Sequence, residues 1–535
     1  MSDRQPDAEF LVFRDLRLTY GQFRDRARAA AKGLHAFGLR PGDRVAVLTT
    51  NRPEWLEVAF GAFYLGATMV PLSSWYRPWD IEYTLGHAEA RLLVLMDSFR
   101  SNTYLDYLRQ LAPELDVSDR TRLELARFPT IERVVTVGGA RQAGTYTYQE
   151  LLASGGDRSI DDLARCRAEA SFQDLAFILY TSGSAATPKG VMMRQGQCIE
   201  NAYAIGERQR MGPSERLWLA VSLAWSFGAA NALPAIMSHG GTIVLQEVFE
   251  PGEALRIFEA ERISVVYTIS NMVNALVTHP DLKRFDRSTL RTGVTTGLPE
   301  EIRRAIEDLG ASQICQATGG TETYGNCCVS DALEPPEIRM TSNGRPLPGV
   351  EVIVVDPVTR LPVPTGQIGE FTVRGKYLSP GYWHDPERTA EHFRDGTYVP
   401  GDLAFFDDDG RVHFVGRVNE MIKTGGINVS PAEVENFLVT HPAIREAYVF
   451  GVPHEEKGEI AVACVQLADG ANLTVPELLA YCRERIATFK IPSRVEFVTA
   501  DEIPHTSTGK VNRRLLVDRY RAASATDGRL PTASR

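Results

Sequence analysis

Residues 180–190, Tyr-Thr-Ser-Gly-Ser-Ala-Ala-Thr-Pro-Lys-Gly, gather hydroxyls, small side chains and one lysine in a single turn-prone stretch. The chemistry open to such a set is phosphate binding. Backbone N–H groups approach the oxygens closely where side chains are small, hydroxyls donate hydrogen bonds, and the lysine supplies charge. The spacing from Gly183 to Lys189 fits the G-x-x-x-x-G-K-[ST] loop of P-loop nucleotide hydrolases. Pro188 stands where that loop has its second glycine, however, and Gly190 replaces its Mg²⁺-binding hydroxyl. The stretch therefore reads as a nucleotide loop of another design, with a Ser/Gly/Thr-rich surface turn as the alternative.

Four distant segments carry groups that suit the same ligand. Gln316-Ala-Thr-Gly-Gly-Thr-Glu322 joins small residues to the Thr321 hydroxyl and the Glu322 carboxylate. A carboxylate beside phosphates usually needs Mg²⁺ between them. Tyr398-Val-Pro-Gly-Asp402 puts an acid on a tight turn, suited to gripping two ribose hydroxyls, and Arg417 follows fifteen residues later. Met421-Ile-Lys-Thr-Gly-Gly-Ile-Asn428 makes a glycine-bearing hairpin, and Ile503-Pro-His-Thr-Ser-Thr-Gly-Lys510 places a lysine in a polar loop.

The elements that must hold these groups alternate. An apolar run over 175–179 leads into the first loop as a buried strand. Phe23, Ala27, Ala30, Leu34 and Phe37 predict a helix over 21–37, and Pro41-Gly-Asp43 turns into a strand over 44–48. Asn51-Arg-Pro53 opens a helix ending near Gly66. Further strands are expected at 92–95, 134–137, 242–245, 265–267 and 352–355, so the class is α/β. From 369 to 414 the chain reads as short strands and turns; after 416–420 it reads as a compact α+β unit. We therefore expect domains at 1–418 and 419–535, with a frayed tail over 522–535.

The net charge of −10 over 535 residues argues against a nucleic-acid surface. No run nears the ~18 apolar residues of a transmembrane helix, and the polar, acidic start does not make a secretory signal. Seven scattered cysteines without a C-x-x-C pair favour a reducing, cytoplasmic setting and argue against structural zinc.

Taken in order, these segments resemble the acyl-adenylate-forming superfamily of acyl-CoA synthetases, peptide-synthetase adenylation domains and beetle luciferases. Leu65-Gly-Ala-Thr-Met-Val-Pro-Leu72 is similar too, and the likeness runs the length of the chain. It implies a large N-terminal domain of stacked α/β subdomains plus a β-barrel-like subdomain, with a small mobile α+β C-terminal domain. It further implies that Thr181, Ser182, Gly183, Ser184, Thr187 and Lys189 bind the β- and γ-phosphates of ATP. Glu322 would hold Mg²⁺, Thr321 would touch the α-phosphate, Asp402 would take the ribose with Arg417 nearby, and Thr318 would stand at the adenine. Lys510 would bridge the substrate carboxylate and the α-phosphate. The small domain would rotate about a hinge at Asn419, presenting either Lys510 for adenylation or the Lys423, Gly425 and Gly426 hairpin for thiol attack.

The resemblance places the acyl pocket among Trp225, Phe227, Ala230, Ser270, Asn271, Gly297, Gly319, Tyr324 and Cys327, with Gly297 also counted among the nucleotide contacts. Three departures matter. Relatives carry Thr and Gly where this chain has Ala185 and Ala186, and an aromatic where it has Thr318. Gly228 follows Phe227, where amino-acid-activating relatives have an aspartate, so an α-ammonium substrate is disfavoured. The implied activity is ATP-dependent ligation of an apolar carboxylic acid to CoA, in a monomer or homodimer. A stand-alone enzyme loading a carrier-protein phosphopantetheine, and a catalytically silent binding homologue, are the alternatives.

Overall fold

The computed structural model describes residues 1–156, 163–181, 188–424, 427–454, 458–483, 485–486, 490–505 and 511–526. Ser182, Gly183, Ser184, Ala185, Ala186, Thr187, Gly425, Gly426 and Lys510 lie outside the described residues.

Among the described residues the strands form four sheets. A seven-stranded sheet contains the expected strands Arg44–Leu48, Leu92–Met96 and Arg133–Val137, paired in parallel. Leu92–Met96 is buried throughout, as a strand covered on both faces must be, and so its sequence is continuously apolar. Leu175–Thr181 joins this sheet in parallel through Met69 and Phe177, then turns back antiparallel as Lys189–Arg194. A nine-stranded sheet contains Thr242–Leu245, Val265–Ile269, Thr292–Thr296 and Gln313–Thr318, the last three lying side by side in parallel. One continuous apolar core spans both sheets.

The first three helices show why the local sequence folds as it does. Helix α1 (Tyr20–Ala36) opens on a capping box: the Gln22 N–H donates to Thr19 Oγ1 at 3.2 Å, and the Thr19 N–H donates to Gln22 Oε1 at 3.0 Å. Helices α2 (Pro53–Tyr64) and α3 (Pro78–Ala88) each start on a proline, whose missing N–H costs nothing there. Helix α3 ends where Glu89 turns left-handed at φ 49°.

The segment expected to be β-rich is a six-stranded antiparallel sheet that includes Val350–Val355, Gly369–Gly375, Asp402–Phe406 and Val412–Arg417, with its own small core. The small C-terminal domain holds a five-stranded sheet that includes Ile422–Thr424, Ile427–Val429, Ile444–His454, Gly458–Leu467 and Arg494–Phe497. One face packs Val434, Leu438 and Leu478 from helices Pro431–Leu438 and Val475–Arg483. The other packs Leu516 and Tyr520 from helix Arg513–Thr526. The tail expected to fray from residue 522 is helical as far as Thr526. Alanine, serine and threonine lack a readable apolar period there, yet alanine propagates a helix already nucleated upstream.

Candidate active site

Parallel strands deliver their carboxyl ends to one edge of a sheet, and the candidate residues sit there. Ser270, Gly297 and Gly319 each directly follow one of the three adjacent strands Val265–Ile269, Thr292–Thr296 and Gln313–Thr318. The Ser270 hydroxyl donates to the Thr296 carbonyl at 3.0 Å and to Glu301 Oε2 at 2.7 Å. A Cβ added to Gly297 would meet Glu301 Oε2 at 2.3 Å and Ser270 Oγ at 2.6 Å, so a larger residue there would have to displace the Ser270–Glu301 hydrogen bond. Gln316 Nε2 donates to the Gly297 carbonyl at 2.8 Å. Burial pushes the Glu301 carboxyl above its usual range, against the hydrogen bonds from Ser270 and the Leu298 N–H.

The second strand of the 175–194 hairpin brings Lys189 to Glu322. Thr181 and Lys189 face each other as the last rung. Lys189 Nζ lies 2.6 Å from Glu322 Oε1 and donates to the Tyr382 hydroxyl at 2.9 Å. That hydroxyl in turn donates to Glu322 Oε1 at 2.8 Å. Glu322 is 5% exposed. Burial alone would push its carboxyl up, but the Lys189 ammonium, with help from Tyr382, outweighs burial and holds it below the usual range. Next door, the Thr321 and Ser226 hydroxyls share a 3.0 Å hydrogen bond. The buried Thr181 hydroxyl has no partner among the described residues.

Asp402 opens its strand directly after Gly401, which turns at φ 78°. It pairs in register with Arg417, whose Nε lies 3.3 Å from Asp402 Oδ1. Tyr398 joins this pair to the Glu322 junction: burial and the negative charges of Glu322 and Asp402 push its hydroxyl far up, so it stays protonated. Thr318 ends its strand, and its carbonyl accepts the Cys327 N–H at 3.0 Å.

The remaining candidates divide. Phe227 packs on Tyr267 with ring centroids 5.0 Å apart, Ala230 is fully buried, and Trp225 is half-buried against the main core. Phe227 and Ala230 lie in a single π-helical turn, Phe227–Ala232. Asn271 is exposed and Cys327 is fully buried. The Tyr324 hydroxyl accepts the Arg194 N–H at 2.9 Å, which ties this residue to the end of the 175–194 hairpin. Asn419 lies in the short turn Val418–Glu420, and Lys423 in strand Ile422–Thr424.

Sequence reasoning missed Tyr382, which binds both Lys189 and Glu322. The turn Ser379-Pro-Gly-Tyr382-Trp383 was its only local signal. It also missed Asn231 in the π-helical turn, which is fully buried with both amide atoms unpartnered among the described residues.

This arrangement defines an adenylate-forming enzyme, and comparison with known proteins agrees. A family model described as AMP-binding enzyme matches residues 2–383, and one described as AMP-binding enzyme C-terminal domain matches residues 433–510. The chain belongs to the family of AMP-binding enzymes, within the acyl-CoA synthetases. It is 32% identical to the mitochondrial medium-chain acyl-CoA ligase ACSF2 of Danio rerio, over 97% of this chain and 86% of that protein. It superposes on the anthranilate CoA ligase AuaEII in complex with anthranoyl-AMP with a TM-score of 0.84, at 26% identity, covering 98% of this chain and 96% of that one. ATP-bound MatB from Rhodopseudomonas palustris gives 0.83 at 27% identity, covering 96% of each chain. No helix among the described residues is long and apolar enough to cross a membrane.

Proposed function

We propose that the protein activates an apolar carboxylic acid with ATP and passes the acyl group to CoA. The observation that carries this reading is the junction of Lys189, Glu322 and Tyr382 at the foot of the 175–194 hairpin. There a cation and a buried carboxylate wait beside a small-residue loop. Thr181 and Lys189, with Ser182, Gly183, Ser184 and Thr187, hold the β- and γ-phosphates. Asp402 accepts hydrogen bonds from the ribose hydroxyls beside Arg417. Thr318 and Gly297 border the base, and Thr321 donates to the α-phosphate.

The residues fit a Mg²⁺ ion: Glu322 is kept ionised, and the Thr181 hydroxyl is buried with no partner among the described residues. Glu322 would hold it, and the ion would neutralise phosphate charge there. The substrate carboxylate oxygen attacks the α-phosphorus as the bond to pyrophosphate breaks. Lys510, brought in by the C-terminal domain, places a cation where two anions meet, which is where preorganised charge acts most strongly. The CoA sulfur then attacks the acyl carbon, the C–O bond of the mixed anhydride breaks, and AMP leaves. For this step the domain turns at Asn419 and presents Lys423, Gly425 and Gly426 to the thiol.

Trp225, Phe227 and Tyr324, with Ala230, Ser270, Asn271, Gly319 and Cys327, favour a medium-chain, alicyclic or aromatic acid. The names of the Danio rerio ligase and of AuaEII support that range. A pyrophosphate-release screen over such acids, with and without CoA, tests the reading. CoA-dependent turnover of at least one acid is expected, and silence across the panel would leave a nucleotide-binding protein without catalysis. Lys510→Ala is expected to slow acyl-AMP formation by about 10²-fold or more. It should leave thioester formation from supplied acyl-AMP within about threefold of the parent; equal loss in both halves overturns the division of labour.

A further inference from the structure

Helix α3 grips the phosphate hairpin at strand Leu175–Thr181 and at the residue just before strand Lys189–Arg194. The Tyr83 hydroxyl donates to the Pro188 carbonyl at 2.9 Å. One helical turn later, His87 Nδ1 lies 2.7 Å from the Tyr180 hydroxyl. Pro188 directly precedes Lys189, and Tyr180 directly precedes Thr181. The two contacts therefore bracket the rung on which Thr181 faces Lys189. Residues four apart share a helix face, and the Tyr83 and His87 rings stack with centroids 5.3 Å apart.

The grip is itself backed. Trp383 Nε1 donates to the His87 carbonyl at 3.2 Å, while the Trp383 N–H donates to the Gly190 carbonyl at 2.7 Å. The Arg44 guanidinium lies over the Trp383 ring at 5.3 Å. Helix α3, the 381–384 turn and the hairpin are thus tied to one another by polar contacts at three corners. Tyr83 and His87 are only half-buried, so an apolar pair would fill their space as well. The Tyr83 hydroxyl and His87 Nδ1 are nonetheless spent on the hairpin.

We propose that Tyr83 and His87 are positioning residues for the triphosphate: acting through Pro188 and Tyr180, they hold the Lys189 ammonium and the Thr181 hydroxyl at the distance the β- and γ-phosphates require. The inference rests on the phosphate reading given under Proposed function. Both reach the rung only through Pro188 and Tyr180. Their effect is confined to the part of the ligand that the Thr181–Lys189 rung meets.

AMP lacks the β- and γ-phosphates, so the pair of nucleotides separates positioning from general damage. Calorimetric titration of the whole protein with ATP and with AMP is the test, below the melting temperature of each variant. Tyr83→Phe and His87→Leu are each expected to weaken ATP about five- to tenfold, the worth of one hydrogen bond, and AMP less than about twofold. His87→Asn keeps a polar atom near the Nδ1 position and is expected to recover ATP affinity to within about twofold. Equal weakening of both nucleotides, or of neither, overturns the inference. Lys189→Gln tells the two readings apart. If it weakens ATP selectively while the α3 variants do not, only the positioning role falls. If it fails to separate ATP from AMP, the phosphate reading falls and takes the inference with it.

Discussion

Glu322 is a buried carboxylate whose charge depends on two neighbours. Burial raises its pKa, while Lys189 and Tyr382 lower it by more, so the folded value lies below the ordinary 4.5. A depressed carboxylate stabilises the fold fully above its unfolded pKa, and that contribution is lost as pH falls through the lower folded value. Stability from this group should therefore be level from pH 5 to 8 and decline only in acid. Lys189 and Glu322 side chains are 16% and 7% exposed, so solvent screens the pair little. Lys189→Met leaves the carboxylate buried without its cation, and is expected to cost about 3–5 kcal/mol at neutral pH. Adding Glu322→Gln should recover most of that loss. Denaturant melts of the single and double variants check this; a single-variant cost under about 1 kcal/mol would show that no buried charge depends on Lys189. Lys189, Glu322 and Asp402 could be singled out in the sequence because each is a charged residue in a short motif of small and turn-forming residues, and the structure sets Lys189 against Glu322 and Asp402 against Arg417. Tyr382 was not, because it meets Glu322 from 60 residues away and Lys189 from 193. Tyr83 reaches Pro188 across 105 residues. Hydrogen bonds across such separations leave no mark on local spacing.

Elements were easier to read than their packing. The strands at 44–48 and 242–245 stand where continuous apolar runs put them. The π-helical turn Phe227–Ala232 was invisible, since its one inserted residue changes no composition. Glycines inside helices show why close approach is hard to read. Gly33 in α1 and Gly86 in α3 look alike in sequence, yet a Cβ at Gly33 would lie 2.3 Å from the Leu151 carbonyl oxygen in helix Tyr148–Ser154, whereas one at Gly86 would meet nothing within 4 Å. Alanine gains about 1 kcal/mol over glycine in helix propensity, and a backbone clash costs about 1–3 kcal/mol. Gly86→Ala is therefore expected to raise stability by about 0.5–1 kcal/mol, and Gly33→Ala to lower it. Thermal melts of the two variants give the signs. A gain at Gly33 would mean that α1 and its neighbour move apart at little cost.

At the scale of the whole molecule, the proposed chemistry needs one site to serve two reactions, and the link between domains must permit it. The stretch after Arg417 is anchored on both sides. The Val418 N–H donates to the Gly401 carbonyl at 2.8 Å, and the Ser430 hydroxyl donates to the Val415 carbonyl at 2.7 Å. Between the Val418 anchor and strand Ile422–Thr424 lie only Asn419, Glu420 and Met421, so any rotation of the C-terminal domain concentrates its dihedral change there. Asn419→Pro tests this directly. The ring fixes φ near about −65° and drives Val418 out of the helical region, which holds the link in one arrangement. One half-reaction is then expected to slow by about tenfold or more while the other stays within about threefold, because a locked domain presents either Lys510 or the 422–429 hairpin, but not both in turn. Pyrophosphate release in the absence of CoA and thioester formation from supplied acyl-AMP read the halves separately. Parental rates in both would place the pivot elsewhere. Equal loss in both, with an unchanged melting temperature, would show that the two reactions do not divide between two poses.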